Sequence, residues 1–214
     1  MGDKLILGLF LFGFAGAVGA AGGAESLPPP RMEGGMSLMQ ALGARHSTRE
    51  FGSRALAPDV LAGLLWAAQG VNRPDTGKRT APSARDWREI DVYVLTAKGV
   101  QVYVPGSHSL RQASDRDLRA ASGRQDYPAT APLNLVYVAD YARMKDASAE
   151  DKAFYAAADT GFIAQNVYLY CASAGLGTVV RGNVDRDALS VALGLGPDQH
   201  VTLAQSVGYP KAAP

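Results

Sequence analysis

The sequence predicts an α+β fold: a β-sheet flanked by helices. Three observations carry this. Helical and strand patterns follow one another as helices, hairpin, helix, strand, long helix, strand, helix, strand, without the regular alternation of a doubly wound sheet. No Gly-x-Gly-x-x-Gly follows a strand, and Gly175-Leu176-Gly177 follows a helix, which is the wrong context for a dinucleotide fingerprint. And Ser148 to Ala174 is helical over about 26 residues, or roughly 39 Å, and apolar nearly all round.

Taken in order, Met1 to Lys4 carries one lysine, Leu5 to Val18 is apolar and uncharged, and residues 19–24 are Gly and Ala. This is the pattern of a secretory signal over residues 1–24, cleaved after Ala20 or Ala24, and it predicts an exported, periplasmic protein. The apolar run is shorter than the ~20 residues of a membrane span, so membrane contact is expected only through this segment. Residues 25–35, with Pro28-Pro29-Pro30 and Gly34-Gly35, read as a linker. Residues 36–214 then form one domain.

Within it, Met36 to Gly43 is a short helix. Pro58 opens a second one, with Leu61, Leu64, Leu65 and Ala68 at helical spacing and a stop near Gly70. Residues 72–78 read as a loop. Asp91 to Leu95 and Val100 to Val104 form a hairpin through Lys98-Gly99. Leu110 to Ala121 is expected to be an amphipathic helix with Arg111, Arg116 and Arg119 outward. Leu133 to Ala139 is continuously apolar, as a central strand is. Ser148 and Asp151 cap the long helix, and Gly175 ends it. Its apolar residues (Phe154, Ala157, Ala158, Phe162, Ile163, Tyr168, Leu169) need cover on several faces, which in a small domain points to a partner subunit. Thr178 to Val180 and Val201 to Val207 are strands, and Asp185 to Leu193 is a short helix.

Twenty-one basic residues balance 20 acidic ones, for a net charge of +1, so there is no basic excess to suggest a nucleic-acid partner. The single cysteine, Cys171, allows no internal disulfide and sits in an apolar helix, as a packing residue would. His46, His108 and His200 are far apart without carboxylates at ligand spacing, so no metal site is expected. No Gly-x-Ser-x-Gly elbow and no phosphate-binding P-loop is present.

What remains is Arg45-His46-Ser47-Thr48-Arg49. In an extended segment alternate side chains point the same way, so Arg45, Ser47 and Arg49 converge. Guanidinium forks and a hydroxyl suit a phosphate. A solvated basic turn would show the same residues. An anion cradle without a side-chain nucleophile or metal fits a bound organic cofactor that carries the chemistry.

Six stretches support that reading: Arg45-His-Ser-Thr-Arg-Glu-Phe51, Leu64-Leu-Trp-Ala-Ala-Gln-Gly70, Arg79-Thr-Ala-Pro-Ser-Ala84, Asp159-Thr-Gly-Phe-Ile-Ala-Gln-Asn166, Gly175-Leu-Gly-Thr-Val-Val-Arg-Gly182 and Val207-Gly-Tyr-Pro210. In this order they resemble the nitroreductase superfamily of FMN flavoproteins, nearest its azoline-dehydrogenase-like branch and secreted relatives. The resemblance implies a mixed sheet flanked by helices in an interlocked homodimer, with the long helix central and two FMN sites between subunits. It places Arg45, His46 and Ser47 at the FMN phosphate and ribityl chain. Arg49 falls at the flavin pyrimidine edge, where a positive charge raises the reduction potential. Pro82, Ser83 and Ala84 fall in the segment lent by the partner. Val180, Arg181 and Gly182 fall where backbone N–H groups approach flavin N5 and O4. Gln125 and Lys211 fall on the flavin and phosphate side.

The implied activity is that of an exported FMN-dependent oxidoreductase with ping-pong transfer through flavin N5 to or from a small organic substrate. An FMN-binding protein without turnover and an azoline-type dehydrogenase are the alternatives. Arg85-Asp86-Trp87-Arg88 departs from the apolar stretch usual in the azoline branch.

Overall fold

The computed structural model describes residues 23–211; the predicted signal segment lies outside them except for Gly23 and Ala24. In chain order the elements are β1 (Glu25–Ser26), α1 (Leu38–Ala44), α2 (Pro58–Gln69), β2 (Val71–Arg73), β3 (Lys78–Arg79), β4 (Ile90–Thr96), β5 (Gly99–Val104), β6 (Ser109–Ser114), α3 (Tyr127–Thr130), β7 (Leu133–Asp140), α4 (Ala149–Ser173), β8 (Gly177–Arg181), α5 (Arg186–Leu193) and β9 (Gln199–Gly208).

Seven strands form one sheet in the order β1-β6-β5-β4-β7-β9-β8. Every ladder in it is antiparallel among the described residues, where the resemblance implied a mixed sheet. β7 is central and covered on both faces, hence its unbroken apolar run. Neighbouring residues of β4 and β7 serve opposite faces. Val92, Val94, Leu135 and Tyr137 pack with Leu64, Leu65, Ile163 and Val167 of α2 and α4. Tyr93, Leu95, Val136 and Val138 pack with Leu189 of α5 and Val201 of β9. Each such side chain, fully buried, contributes about 1.5–3 kcal/mol. Cys171 belongs to the first of these cores, and burial pushes its thiol pKa up, away from thiolate chemistry.

The capping residues act as their positions suggest. Ser37 and Gln40 form a reciprocal capping box on α1, and Ser148 accepts the Asp151 N–H at the start of α4. Gly194 ends α5 in the left-handed region, at φ 68°.

Three expectations change. Leu110 to Ala121 is not a helix: residues 109–114 are strand β6, followed by a turn and a single 3-10 turn at Ala120–Ser122. The reversal over residues 105–108 returns the chain beside β5, where Leu110 pairs with Tyr103 and Arg111 with Val102. Leu110 is buried and Arg111 exposed, the period of a strand. The open edge of β5 thus outweighs local helical preference. Residues 72–78 sit within a two-stranded hairpin of β2 and β3. And the predicted linker begins as β1, paired to β6, with the Leu27 N–H donating to the His108 carbonyl at 3.1 Å.

Candidate functional site

α1 ends at Arg45, whose ψ of 123° turns the chain out of the helix. The strip that follows is tied down by backbone. Thr48 N–H donates to Thr178 of β8 at 2.9 Å, Lys211 N–H donates to Glu50 at 3.1 Å, and Phe51 bridges Pro210. The approach to β8 needs Gly177, because a Cβ there would lie 2.8 Å from the Thr48 methyl. Residues 45–51 therefore run between the start of β8 and residues 209–211.

Arg45, His46, Ser47 and Arg49 remain exposed while Thr48 is half-buried, and Tyr168 of α4 touches Arg45 and Ser47. Its hydroxyl accepts the Val180 N–H at 3.0 Å and pairs with Ser47 Oγ at 2.9 Å. The Arg45 guanidinium lies 5.4 Å from the Tyr168 ring centroid. Neither Arg45 nor Arg49 forms an ion pair with an acidic side chain among the described residues. His46 behaves differently: its Nδ1 bonds the Ala44 carbonyl at 2.9 Å, so it turns back on its own helix. Lys211 is exposed beside Glu50, at the far end of the strip.

At the end of β8 the side chain and backbone of Arg181 separate. The guanidinium is buried. It donates to Asn134 Oδ1, Ser206 Oγ, Ser122 O and Ser122 Oγ, and lies 5.7 Å from the Tyr127 ring centroid. Burial without an acidic partner lowers its pKa to about 10. Its Nε and the Gln125 Oε1 are both buried without partners, and both would lie about 3 Å from a Cβ on Gly123 (3.0 and 3.1 Å). Gln125 and Arg181 thus both crowd the backbone of Gly123. Gly182 is exposed, and a Cβ there would meet only Leu203, at 3.7 Å. Only the backbone of this strand end faces outward.

Pro82, Ser83 and Ala84 stand elsewhere, beside a cavity of about 310 Å³ whose wall includes Gln69, Arg79, Glu89 and Asp159. No hydrogen bond joins them to the cradle within one chain. Two buried acids hold the segment: Ala84 N–H donates to Asp159 Oδ2 at 2.9 Å, and Ser83 Oγ donates to Glu89 Oε2 at 3.3 Å. The chain beyond is strained. Arg85, Asp86 and Arg88 all have left-handed φ, at 48°, 58° and 52°, a region that costs a non-glycine residue about 1–2 kcal/mol. Trp87 packs edge-on against Tyr155 of α4 at 5.7 Å.

Sequence reasoning missed Tyr168, which it read as core, and the acids Glu89 and Asp159. A carboxylate inside the apolar face of α4 was the available signal for Asp159.

The comparisons agree with one another. The profile of the nitroreductase family matches residues 42–209. A protein of Methanocaldococcus jannaschii that carries the nitroreductase name is 34% identical over 157 residues, covering 69% of this chain and 79% of that one. A Ralstonia eutropha crystal structure under the same family name superposes with a TM-score of 0.86 at 43% identity, over 92% of this chain and 94% of that one. An NADPH:FMN oxidoreductase from Vibrio harveyi, complexed with NAD+, shares the fold at a TM-score of 0.62 and 22% identity, over 83% of this chain and 70% of that one.

Proposed function

Because the chain belongs to the nitroreductase family, we propose that it is an exported oxidoreductase that binds FMN in the Arg45–Arg49 cradle and works as a homodimer on a small organic substrate. The observation that carries the reading is the convergence of Arg45, Ser47 and the Val180 N–H on Tyr168, beside exposed cations that have no acidic partner. The exposed guanidiniums and the Ser47 hydroxyl fit a phosphate monoester, whereas the Val180 N–H is already taken by Tyr168. The strip offers one compact anion site and no second dinucleotide element, which favours FMN over FAD.

A flavin held here would supply the redox chemistry. The chain's own residues position it. Arg45 and Ser47 hold the phosphate and ribityl end. Arg49 would set a positive charge on the ring side of a bound flavin and so favour its reduced form. Gly182, an exposed residue without a side chain, would let its backbone come close to a ligand. Lys211, from the segment paired with Glu50, adds a second cation on the phosphate side.

Two observations support a homodimer. Leu38, Met39 and Leu42 of α1 and Phe154 and Phe162 of α4 are exposed in the single chain, with Met39 at 76% and Phe154 at 65%, which is an uncovered apolar face. And the cradle and the Pro82–Ala84 segment do not meet within one chain, as halves of sites completed by a partner would not. Export rests on residues 1–24.

Turnover with reversible bleaching of the flavin absorbance tests the reading. Flavin that stays oxidised with every donor offered would instead favour a binding protein. Cell fractionation tests export.

A further inference from the structure

Glu89 and Asp159 come from opposite sides of the Pro82–Arg88 loop, just before β4 and from the middle of α4. Both are out of solvent, with Glu89 at 0% and Asp159 at 2% exposure. Their oxygens are held by consecutive residues, Ser83 on Glu89 and Ala84 on Asp159. The two carboxyl groups line one cavity and are fastened to adjacent residues of one loop, which brings them together. Glu89 Oε1 receives no hydrogen from any donor. Two ionised carboxylates cannot share so small a dry space, whereas one carboxylic acid donating to one carboxylate can.

We infer that Glu89 and Asp159 share a single proton, and that this proton pins the Pro82–Arg88 loop in its strained form. The hydrogen sits on Glu89 Oε1 and is directed at Asp159, which completes the hydrogen bonding of both groups. Asp159 keeps Ala84 in place and Glu89 keeps Ser83. Ser83 Oγ in turn accepts the Arg88 N–H at 2.8 Å, and so closes the loop over its left-handed residues. Three non-glycine left-handed residues in four positions persist only where the surroundings over-determine them.

Other charges face the pair. Tyr141 and Arg143, in the turn after β7, lie near enough to feel the charge of Glu89. Arg79 of β3, Asp86 and Arg88 line the cavity beside it, as do Arg73 and Lys78. Asp86 and Arg88 are paired with each other, and Arg143 with Asp91 and Asp140. Arg79 Nη1 donates to Gln69 Oε1 at 2.9 Å. None of these cations donates to a Glu89 oxygen, which leaves the acid form favoured. Burial first, and Asp159 next among the charges, push the Glu89 pKa up. Rising pH then removes the proton to solvent, sets two negative charges against each other and frees the loop.

The pair makes Glu89 and Asp159 positioning residues for Pro82–Ala84. That consequence for a flavin rests on the function proposed above; the shared proton does not. Trp87 lies on the loop, and the chain has one other tryptophan, Trp66. The test therefore uses Trp66→Phe as background and follows Trp87 emission against pH, with infrared detection of the protonated carboxyl band. The background protein should show a loop transition on raising pH, with loss of that band in step. Glu89→Gln, whose amide replaces the carboxylic O–H, should hold Trp87 at its low-pH signal throughout. Asp159→Asn, which can donate to an ionised Glu89, should move the transition to lower pH. A flat background profile, an unchanged transition in Glu89→Gln, or an unmoved one in Asp159→Asn would overturn the inference. If Glu89→Gln does not fold, the infrared band and Asp159→Asn still decide. A transition seen in protein that carries no flavin would keep this inference and remove the proposed function.

Discussion

Along the Arg45–Arg49 strip the charged groups are exposed and have no acidic partner among the described residues, whereas around Pro82–Glu89 the acids are buried and already engaged with backbone and hydroxyl. The first arrangement costs the free chain little, since exposed guanidiniums stay hydrated until an anion arrives. The second is committed, since Glu89 Oε2 fixes the Ser83 O–H and Asp159 Oδ2 the Ala84 N–H. One region is built to receive charge from outside. The other is built to hold a strained loop in one shape. The two do not touch within the chain, so a site that uses both needs two chains.

The largest effect that would sharpen this contrast comes from Asp159→Ala. It orphans the Ala84 N–H and removes the partner of the Glu89 carboxyl. The expected loss is about 3 kcal/mol in denaturant unfolding, with Trp87 emission changed as the loop loosens. A loss within the roughly 0.5 kcal/mol typical of surface changes would mean the acids do not clamp the loop.

Arg45→Ala comes next, and its effect should fall elsewhere. Unfolding should shift by no more than about 0.5 kcal/mol. FMN affinity should drop by roughly ten- to a hundredfold, the equivalent of a charge-assisted hydrogen bond of about 1.5–3 kcal/mol. Equal affinity in titration would leave the strip a solvated basic turn.

A smaller change is expected of Arg49→Ala, which should retain more flavin than Arg45→Ala but at a lower reduction potential. A solvent-exposed charge a few ångströms from the ring contributes about 1 kcal/mol. A coupled redox-dye titration would detect it, and an unchanged potential would remove Arg49 from the flavin edge.

The smallest effect separates the regions by pH. Glu89 has a folded-state pKa above its ordinary value of 4.5, chiefly through burial. The folded state therefore binds more protons than the unfolded state between the two values. Its contribution to stability is complete below 4.5 and is lost as pH rises through the folded value. Denaturation midpoints should fall across that window and should not in Glu89→Gln. A cradle variant such as Arg45→Ala should keep the full slope.

Much of the fold was legible because its signals are local. The cap of α4, the continuous apolar run of β7 and the β4–β5 hairpin can each be read from a dozen residues or fewer. β6 was not, because its strand state depends on the waiting edge of β5 rather than on its own composition. The same division runs through the site. Arg45, Ser47 and Arg49 declare themselves by spacing and charge. The buried pair joins residues 70 positions apart in sequence, and Tyr168 hides among apolar neighbours, its hydroxyl role set by Val180 and Ser47 from elsewhere in the chain. Arg181 could be placed by motif. The inward turn of its side chain, toward Asn134, Ser122 and Ser206, required the packed sheet.

The central claim is that the outward-facing cradle binds FMN. Release of the cofactor from purified protein by heat, with chromatographic identification and counting per chain, tests it most directly. The account predicts FMN at close to one per chain in the unaltered protein and clearly less in Arg45→Ala prepared alongside. FAD in place of FMN, no flavin at all, or the same FMN content in both proteins would contradict it.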